Sequence, residues 1–349
     1  MRPSDLKSFQ LLAVSFEIRR LLVALLVLLM AFPTHTANAR DDRIQRIETA
    51  FNKWITKYSV KDASLAIVID GVIAGQIGHG GYTTEQAVPV ASLSKAITGI
   101  CIAKLVESGK LRFNQRIGIV IASYFSKNPP KDARAKRITI AQLLTHTSGI
   151  THDPTQGGEL DQFQPFSNAS MERQLQVALT APLGRTKFAY NNMNYAALGI
   201  VIQTVTGEDH DKFCSREVLE PVGVQGAGLN PDWRMMGAFG GWNISAADYA
   251  KFLGYFDPSR RLLGVRPANW PKTDLNGASY SLGTLMRRNG SGYNFWHFGS
   301  WTRNIPTASF GAYFAMWGGK VGVVANYSPS ISEAAELDLD KALYDAAFR

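Results

Sequence analysis

The placement of strand-like segments constrains the fold of this chain more than any other feature. One pair of short strands is expected near the start, in "ASLAIVIDGVIAGQIGHGG" (63–81), turning at Asp70-Gly71. The others come only after residue 278, in "SYSLGTLMRR", "YNFWHFG", "ASFGAYFAMW" and "KVGVVANYS". Between them the pattern is helical and rich in loops. Its clearest helices are 92–108, closed by Gly109, "YAALGIVIQTVTG" and "ISAADYAKFLGYF". A shorter helix is expected in "ITIAQLLTHTSGI" (138–150), closed by Gly149. Ile44, Ile47, Phe51, Trp54 and Ile55 recur at helical spacing before the first strand, and residues 332–348 form a last amphipathic helix. The arrangement that satisfies this order is one antiparallel sheet made by both chain ends and flanked by the terminal helices. A mainly helical lobe, about 92–256, is inserted between them. The expected class is therefore mixed, α/β in the α+β sense, with a cleft where the two lobes meet.

The first 39 residues are set apart. Arg2, Lys7, Arg19 and Arg20 precede an apolar run from Leu21 to Phe32, followed by Pro33 and Ala37-Asn38-Ala39. That order is the one found in secretory signal peptides, and the run is short for a permanent membrane span. The expectation is a leader over 1–39, a single enzyme-sized domain over 40–349, an exported product, periplasmic or secreted, and no stable membrane span after cleavage. The whole chain carries a formal charge of +9. Its one dense basic cluster, Lys127, Lys131, Arg134, Lys136 and Arg137, lacks interleaved aromatics, so no nucleic-acid partner is expected. The two cysteines, Cys101 and Cys214, are read as free thiols, Cys101 lying inside an apolar helix. No metal and no cofactor are expected, because His79, His152 and His210 have no ligand-like spacing.

Three stretches carry chemistry. In "VASLSKAITGICIAKLVESG" (90–109), Ser92 and Lys95 are three residues apart and share a helix face. A serine at a helix start can attack a carbonyl, with backbone N–H groups holding the oxyanion. A desolvated lysine beside it has a lowered pKa and can move the proton. The alternative is a helix-capping serine with a lysine reaching for solvent. Ser94 has the wrong spacing and is read as structural. In "FAYNNMNYAALG" (188–199), Tyr190 near a lysine ammonium is pushed towards phenolate, a usable general base, and Asn192 can bridge the lysine and a substrate carbonyl. The alternative there is a turn with an aromatic plug. In "FWHFGSWTRN" (295–304), Gly299 lets a ligand approach the backbone of a strand, and His297 projects to one face. A core strand with a satisfied histidine is the alternative.

In this order and spacing the three motifs resemble the serine β-lactamase and penicillin-recognising enzyme superfamily, in its class C-like branch. That branch holds class C β-lactamases, D-alanyl-D-alanine carboxypeptidases, D-amino-acid peptidases and family VIII esterases. "KLVESGKL" (104–111), "LLTHTSGI" (143–150), "LEPVGV" (219–224) and "GGWNISAADYAKF" (240–252) are similar to its framework, and the resemblance spans about 45–345. It implies a β-lactamase/transpeptidase-like fold, with Ser92 as acylated nucleophile and Lys95 and Tyr190 sharing the proton work. It implies Asn192 on the substrate carbonyl, His297 in place of the third-motif cation, and an oxyanion hole from the backbone N–H groups of Ser92 and Ser300. It also implies that His146 packs beneath the site as a structural residue. Where that branch shows Lys-Thr-Gly or His-Thr-Gly, this chain has His297-Phe298-Gly299. Phe298 supplies no hydroxyl and His297 is largely neutral at pH 7, so recognition of a carboxylate beside the scissile bond is weakened. Arg303 is a candidate substitute partner. Trp296, Phe298 and Trp301 suggest an apolar acyl or alcohol pocket. Asn191 stands where a serine is usual, at a position whose side chain need not face substrate.

Three readings follow. The first is an exported serine hydrolase of esters or small amides. The second is a D-amino-acid peptidase, carboxypeptidase or class C-type β-lactamase. The third is a non-catalytic binding protein that keeps the fold. The expected partner is a small ester, amide or D-amino-acid peptide. The loop 151–170 is expected to border the cleft.

Overall fold

The terminal helices fold back on the same face of one sheet. Helix α1 (Asp42–Tyr58) buries Ile44, Ile47, Phe51, Trp54 and Ile55, the residues whose spacing marks it as a helix. Helix α7 (Glu333–Phe348) lies beside it, and the Trp54 indole donates a 2.9 Å hydrogen bond to the Ala335 carbonyl. This computed structural model describes residues 41–163, 170–304 and 307–349. The leader read from residues 1–39 lies outside the described residues. Among the described residues, no helix is long and apolar enough to cross a membrane.

Eight antiparallel strands make the main sheet. They are β1 (Asp62–Ile69), β2 (Val72–His79), β6 (Thr273–Asp274), β7 (Ser279–Ser281), β8 (Thr284–Asn289), β9 (Gly292–Asn304), β10 (Thr307–Trp317) and β11 (Val321–Ser328), in the spatial order β2-β1-β11-β10-β9-β8-β7-β6. The chain ends meet where β1 pairs with β11, from Asp62↔Ser328 to Ile69↔Val321. Side chains alternate between two cores with the strand period of two. Ala63, Leu65, Ile67, Tyr313, Ala315, Val323 and Ala325 face α1 and α7. Ala66, Val68, Ala312, Phe314, Met316 and Val324 face the helical lobe. With both faces covered, these strands read as nearly continuous apolar runs rather than alternating ones.

Hairpins of the main sheet turn through residues at positive φ, and two of these turns matter most here. The β1–β2 turn is Asp70 (φ 47) and Gly71 (φ 80), as its Asp-Gly pair predicts. The β7–β8 turn is Leu282 (φ 45) and Gly283 (φ 80). This second turn sits on the backbone of α2 (Ser94–Glu107). A Cβ on Gly283 would fall 2.2 Å from the Lys95 carbonyl, and one on Gly99 would fall 2.2 Å from the Leu282 oxygen. Two glycines thus allow sheet and helix to touch backbone to backbone, at the turn of α2 that carries Lys95.

The inserted lobe is mainly helical, and its helices include α3 (Ile140–Leu144), α4 (Met193–Thr206), α5 (His210–Cys214) and α6 (Ala246–Phe252). It also holds a small sheet that helical periodicity concealed, β3 (Val88–Pro89), β4 (Gly228–Leu229) and β5 (Trp242–Ile244), in the order β3-β5-β4. Strands this short carry no readable alternation. Helix α3 is shorter than expected from 138–150. Thr139 and Gln142 form a capping box at its start, and the chain leaves the helix at His146, whose φ is 54.

The cysteines correct the sequence reading. Cys101 of α2 and Cys214 of α5 are joined in a disulfide, with Cα atoms 5.7 Å apart. Free thiols were expected because Cys101 lies inside an apolar helix. That placement is right, and the residue is fully buried. What spacing along the chain does not carry is that α5 packs on α2 at that turn.

Candidate active site

Ser92 sits in a single 3-10 turn, Ala91–Leu93, just ahead of α2. Ala91 is held at φ 44, a conformation that is strained for an L-residue with a side chain. The capping alternative does not describe Ser92, because α2 is capped at Leu93 with no side-chain hydrogen bond. Lys95 does not reach for solvent either, being completely buried. Ser94 accepts the Trp242 N–H at 3.2 Å and ties the helix to β5, a structural role as expected.

Lys95 Nζ donates to Ser92 Oγ at 3.0 Å and to the Phe239 carbonyl at 2.9 Å. It stands 4.8 Å above the centre of the Tyr190 ring. Burial lowers its pKa to about 7, against a smaller opposing effect of the Asp153 charge. Tyr190 presents 44% of its surface to the cleft, while its hydroxyl lies within reach of Ser92 and Tyr280. Burial of that hydroxyl raises its pKa above the ordinary phenol value. The direction is opposite to the phenolate expected from a neighbouring lysine: desolvation outweighs the hydrogen bonding of the hydroxyl to Ser92 and Tyr280, and the Asp153 charge acts in the same direction as burial.

His146 stacks on Tyr190, with centroids 4.4 Å apart, and lies beneath the site as expected. Its Nδ1 accepts from the Asn191 N–H at 3.2 Å and from Asn194 Nδ2 at 3.1 Å, and burial keeps it neutral. Asn191 binds the Ile150 and His152 carbonyls, each at 3.2 Å, so it pins the neighbouring loop. Asn192 lines the cleft. Its N–H binds Asp153 at 2.7 Å and its Nδ2 binds Thr155 at 2.9 Å. Asp153, which accepts the Asn192 N–H, is also the charge that opposes burial at Lys95.

Strand β9 forms the opposite wall. Strand β8 pairs with it only from Gly292 to Trp296, so the edge beyond opens onto the cleft. A Cβ on Gly299 would lie 3.1 Å from the Ser92 nitrogen and 2.4 Å from the Val90 carbonyl, which places this strand directly against the Ser92 turn. Ser300 lines the cleft, and its hydroxyl pairs with Ser330 at 2.5 Å. His297 shares the Gly299 face. Its Nδ1 meets the Phe298 carbonyl at 2.5 Å, so Nδ1 carries the proton and Nε2 accepts from the Tyr280 hydroxyl at 3.1 Å. Burial, aided by the Lys95 charge, lowers its pKa to about 3, so it is a neutral group here. The aromatics do not form one pocket. Phe298 stacks on Tyr313 on the α1/α7 side, with Trp296 on the same face. Trp301 packs edge-on to Trp233 on the other face. All three reach the cleft because it wraps round the strand edge.

The cleft measures about 1400 Å³. Thr151, Asp153 and residues 155–158 border it, as expected for the first part of the loop 151–170. Residues 164–169 of that loop lie outside the described residues. Sequence reasoning missed three participants. Tyr280, on β7, links Tyr190 to His297, but its strand carries no motif. The Phe239 carbonyl holds Lys95, and a backbone atom leaves no trace in residue types. Asp153 lies in the loop 151–170, but its partner Asn192 comes from another segment. Among the described residues, no group of three or more His, Cys, Asp or Glu side chains is placed to hold a metal.

A serine hydrogen-bonded to a buried lysine, beside a tyrosine hydroxyl and under the edge of an antiparallel sheet, is an arrangement chemically capable of serine acyl transfer. The sequence itself matches the beta-lactamase family over residues 44–328, and the chain belongs to that family. Protein flp of Staphylococcus aureus (strain COL) is 30% identical over 197 residues, covering 52% of this chain and 37% of that protein. The chain thus matches well under half the length of this curated relative. Among solved structures, the octameric penicillin-binding protein homologue from Pyrococcus abyssi shares the fold, with a TM-score of 0.66 at 20% identity, over 85% of this chain and 76% of that one. The beta-lactamase/D-alanine carboxypeptidase from Yersinia pestis does so with a TM-score of 0.68 at 14% identity, over 87% and 98%.

Proposed function

We propose that this protein is an exported serine hydrolase that cleaves an ester or small amide through an acyl-enzyme on Ser92. The observation that carries the reading is the 3.0 Å contact between Ser92 Oγ and a buried Lys95 whose pKa is about 7. A neutral Lys95 keeps an N–H for the Phe239 carbonyl and turns its lone pair to Ser92. Ser92 Oγ then bonds to the substrate carbonyl carbon as its proton passes to Lys95. The oxyanion is held by the Ser92 N–H and a second N–H from the β9 edge, at Ser300. Tyr190, protonated and close to Ser92, is placed to relay the proton to the leaving oxygen or nitrogen as the carbonyl–leaving-group bond breaks. Water then attacks the acyl-enzyme, its proton returns through the same groups, and the acid and free Ser92 are regenerated.

The neutral His297 and the outward-facing Phe298 favour substrates without a carboxylate beside the scissile bond. The free β9 edge, which can pair with a peptide backbone, supports a second reading, a D-amino-acid peptidase or carboxypeptidase. Export is supported by the leader-like order of residues 1–39 and by a disulfide, which persists in oxidising compartments.

The test is intact mass spectrometry of the protein after incubation with p-nitrophenyl butyrate, an organophosphonate and penicillin G, with Ser92→Ala as control. The expected result is a phosphonate adduct and ester turnover, both lost in Ser92→Ala. A lasting penicilloyl adduct would select the peptidase reading, and no adduct with any reagent would refute the hydrolase.

A further inference from the structure

Arg303 is the only lysine or arginine among the described residues that line the cleft. Four acidic residues, Asp153, Asp161, Glu333 and Glu336, line it as well. Among the described residues, an anionic group on a substrate that lies along the cleft away from Lys95 therefore has Arg303 as its cationic partner. That partner is an arginine whose side chain is only 7% exposed. Its guanidinium rests 5.8 Å above the Trp233 ring, which limits its orientation. Its Nη2 donates at 2.7 Å to Asp161 Oδ1, a residue 142 positions away on the other wall of the cleft. Asp161 is 65% exposed. The cleft thus presents a buried arginine facing a solvated carboxylate of its own chain.

The position of Arg303 sets a length. Gly299 marks the reacting carbonyl, because it lies against the Ser92 nitrogen. Arg303 is four residues further along β9 on the same face, about 13 Å at the usual strand rise. Arginine and carboxylate pair in a planar, two-pronged geometry that a substrate carboxylate can adopt as well as Asp161 can. A carboxylate adjacent to the scissile bond cannot span that distance, whereas one at the far end of an extended acyl chain can.

Building on the serine-hydrolase reading, we propose that Arg303 selects extended acyl groups ending in a carboxylate, which takes the place of Asp161 on the guanidinium. The substrate class is then a long ω-carboxyacyl ester or amide, or its peptide equivalent with an acidic group three to four residues from the scissile bond.

The test compares chains of equal length with and without the terminal charge. The mono-p-nitrophenyl ester of suberic acid is set against p-nitrophenyl octanoate, and that of succinic acid against p-nitrophenyl butyrate. Wild type is expected to favour suberate over octanoate in kcat/KM by about tenfold to a hundredfold, the range that a charge-assisted hydrogen bond supports. Succinate, too short to reach, shows no preference over butyrate. Arg303→Met brings the suberate-to-octanoate ratio close to one, and Asp161→Asn raises it by removing the competing carboxylate. Asp161 is exposed, so that variant reports even where Arg303→Met does not fold. A ratio near one in wild type, or a ratio unmoved by Asp161→Asn, overturns the proposal. Calorimetric binding of monomethyl suberate and methyl octanoate to Ser92→Ala separates the two readings. If wild type hydrolyses neither ester, the hydrolase reading fails, and equal binding of the two compounds then overturns the Arg303 proposal on its own.

Discussion

Replacing Gly299 by alanine probes the contact on which the whole site depends. The added Cβ would lie 2.4 Å from the Val90 oxygen, where ordinary contact begins at 3.4 Å, so strand and turn must part by about 1 Å. Neither side can yield through a flexible side chain, because the obstacle is backbone. The Val90 carbonyl also accepts the Leu93 N–H at 3.1 Å, the bond that closes the turn presenting Ser92. Moving it displaces the Ser92 N–H from the β9 edge, where the oxyanion is to be held. A misplacement of this size, or loss of one oxyanion donor, costs about 10²–10³ in kcat. Overpacking of this kind costs about 1–3 kcal/mol in stability, a shift of several degrees in Tm. The assay is kcat on p-nitrophenyl butyrate, with a thermal melt and the rate of phosphonate labelling of Ser92 measured on the same sample. A folded Gly299→Ala protein with kcat within threefold of wild type would refute the placement of β9 against the nucleophile.

Two further outcomes follow from the same geometry. Lys95 accepts a proton only when neutral, so log(kcat/KM) should rise with pH up to about 7, where burial places its pKa, and level off above. A profile that is flat between pH 5 and 7 would remove Lys95 as the acceptor. Opening the 101–214 disulfide, by reduction or by the Cys101→Ala/Cys214→Ala double variant, should lower unfolding stability by about 2–5 kcal/mol, because it closes a long loop in the unfolded chain. Thiol titration of the unreduced, denatured protein should find no free cysteine, and two would contradict the bridge.

The order of elements along the chain was enough to determine the main sheet and its flanking helices, though not the small sheet of the inserted lobe. Strand-like runs at both ends, helical spacing between, and apolar faces on 42–58 and 332–348 admit one economical sheet, and hydrophobic periodicity is a local property that any window displays. Ser92, Lys95, Tyr190, Asn192, His297, Gly299 and Ser300 were singled out because three motifs in that order resemble one family, and the fold brings them to one cleft. What needed the folded chain was everything that depends on which segments meet. Cys101 and Cys214 are bridged because α5 crosses α2. Phe298 faces away from Ser92 because β9 alternates its side chains. The phenol pKa of Tyr190 is raised rather than lowered because burial outweighs its hydrogen bonds with Ser92 and Tyr280. Tyr280, Asp153 and the Phe239 carbonyl join the site, and Arg303 meets Asp161 across it, through contacts between distant segments. Burial and long-range contact are properties of the packed chain as a whole, so no local window of sequence contains them.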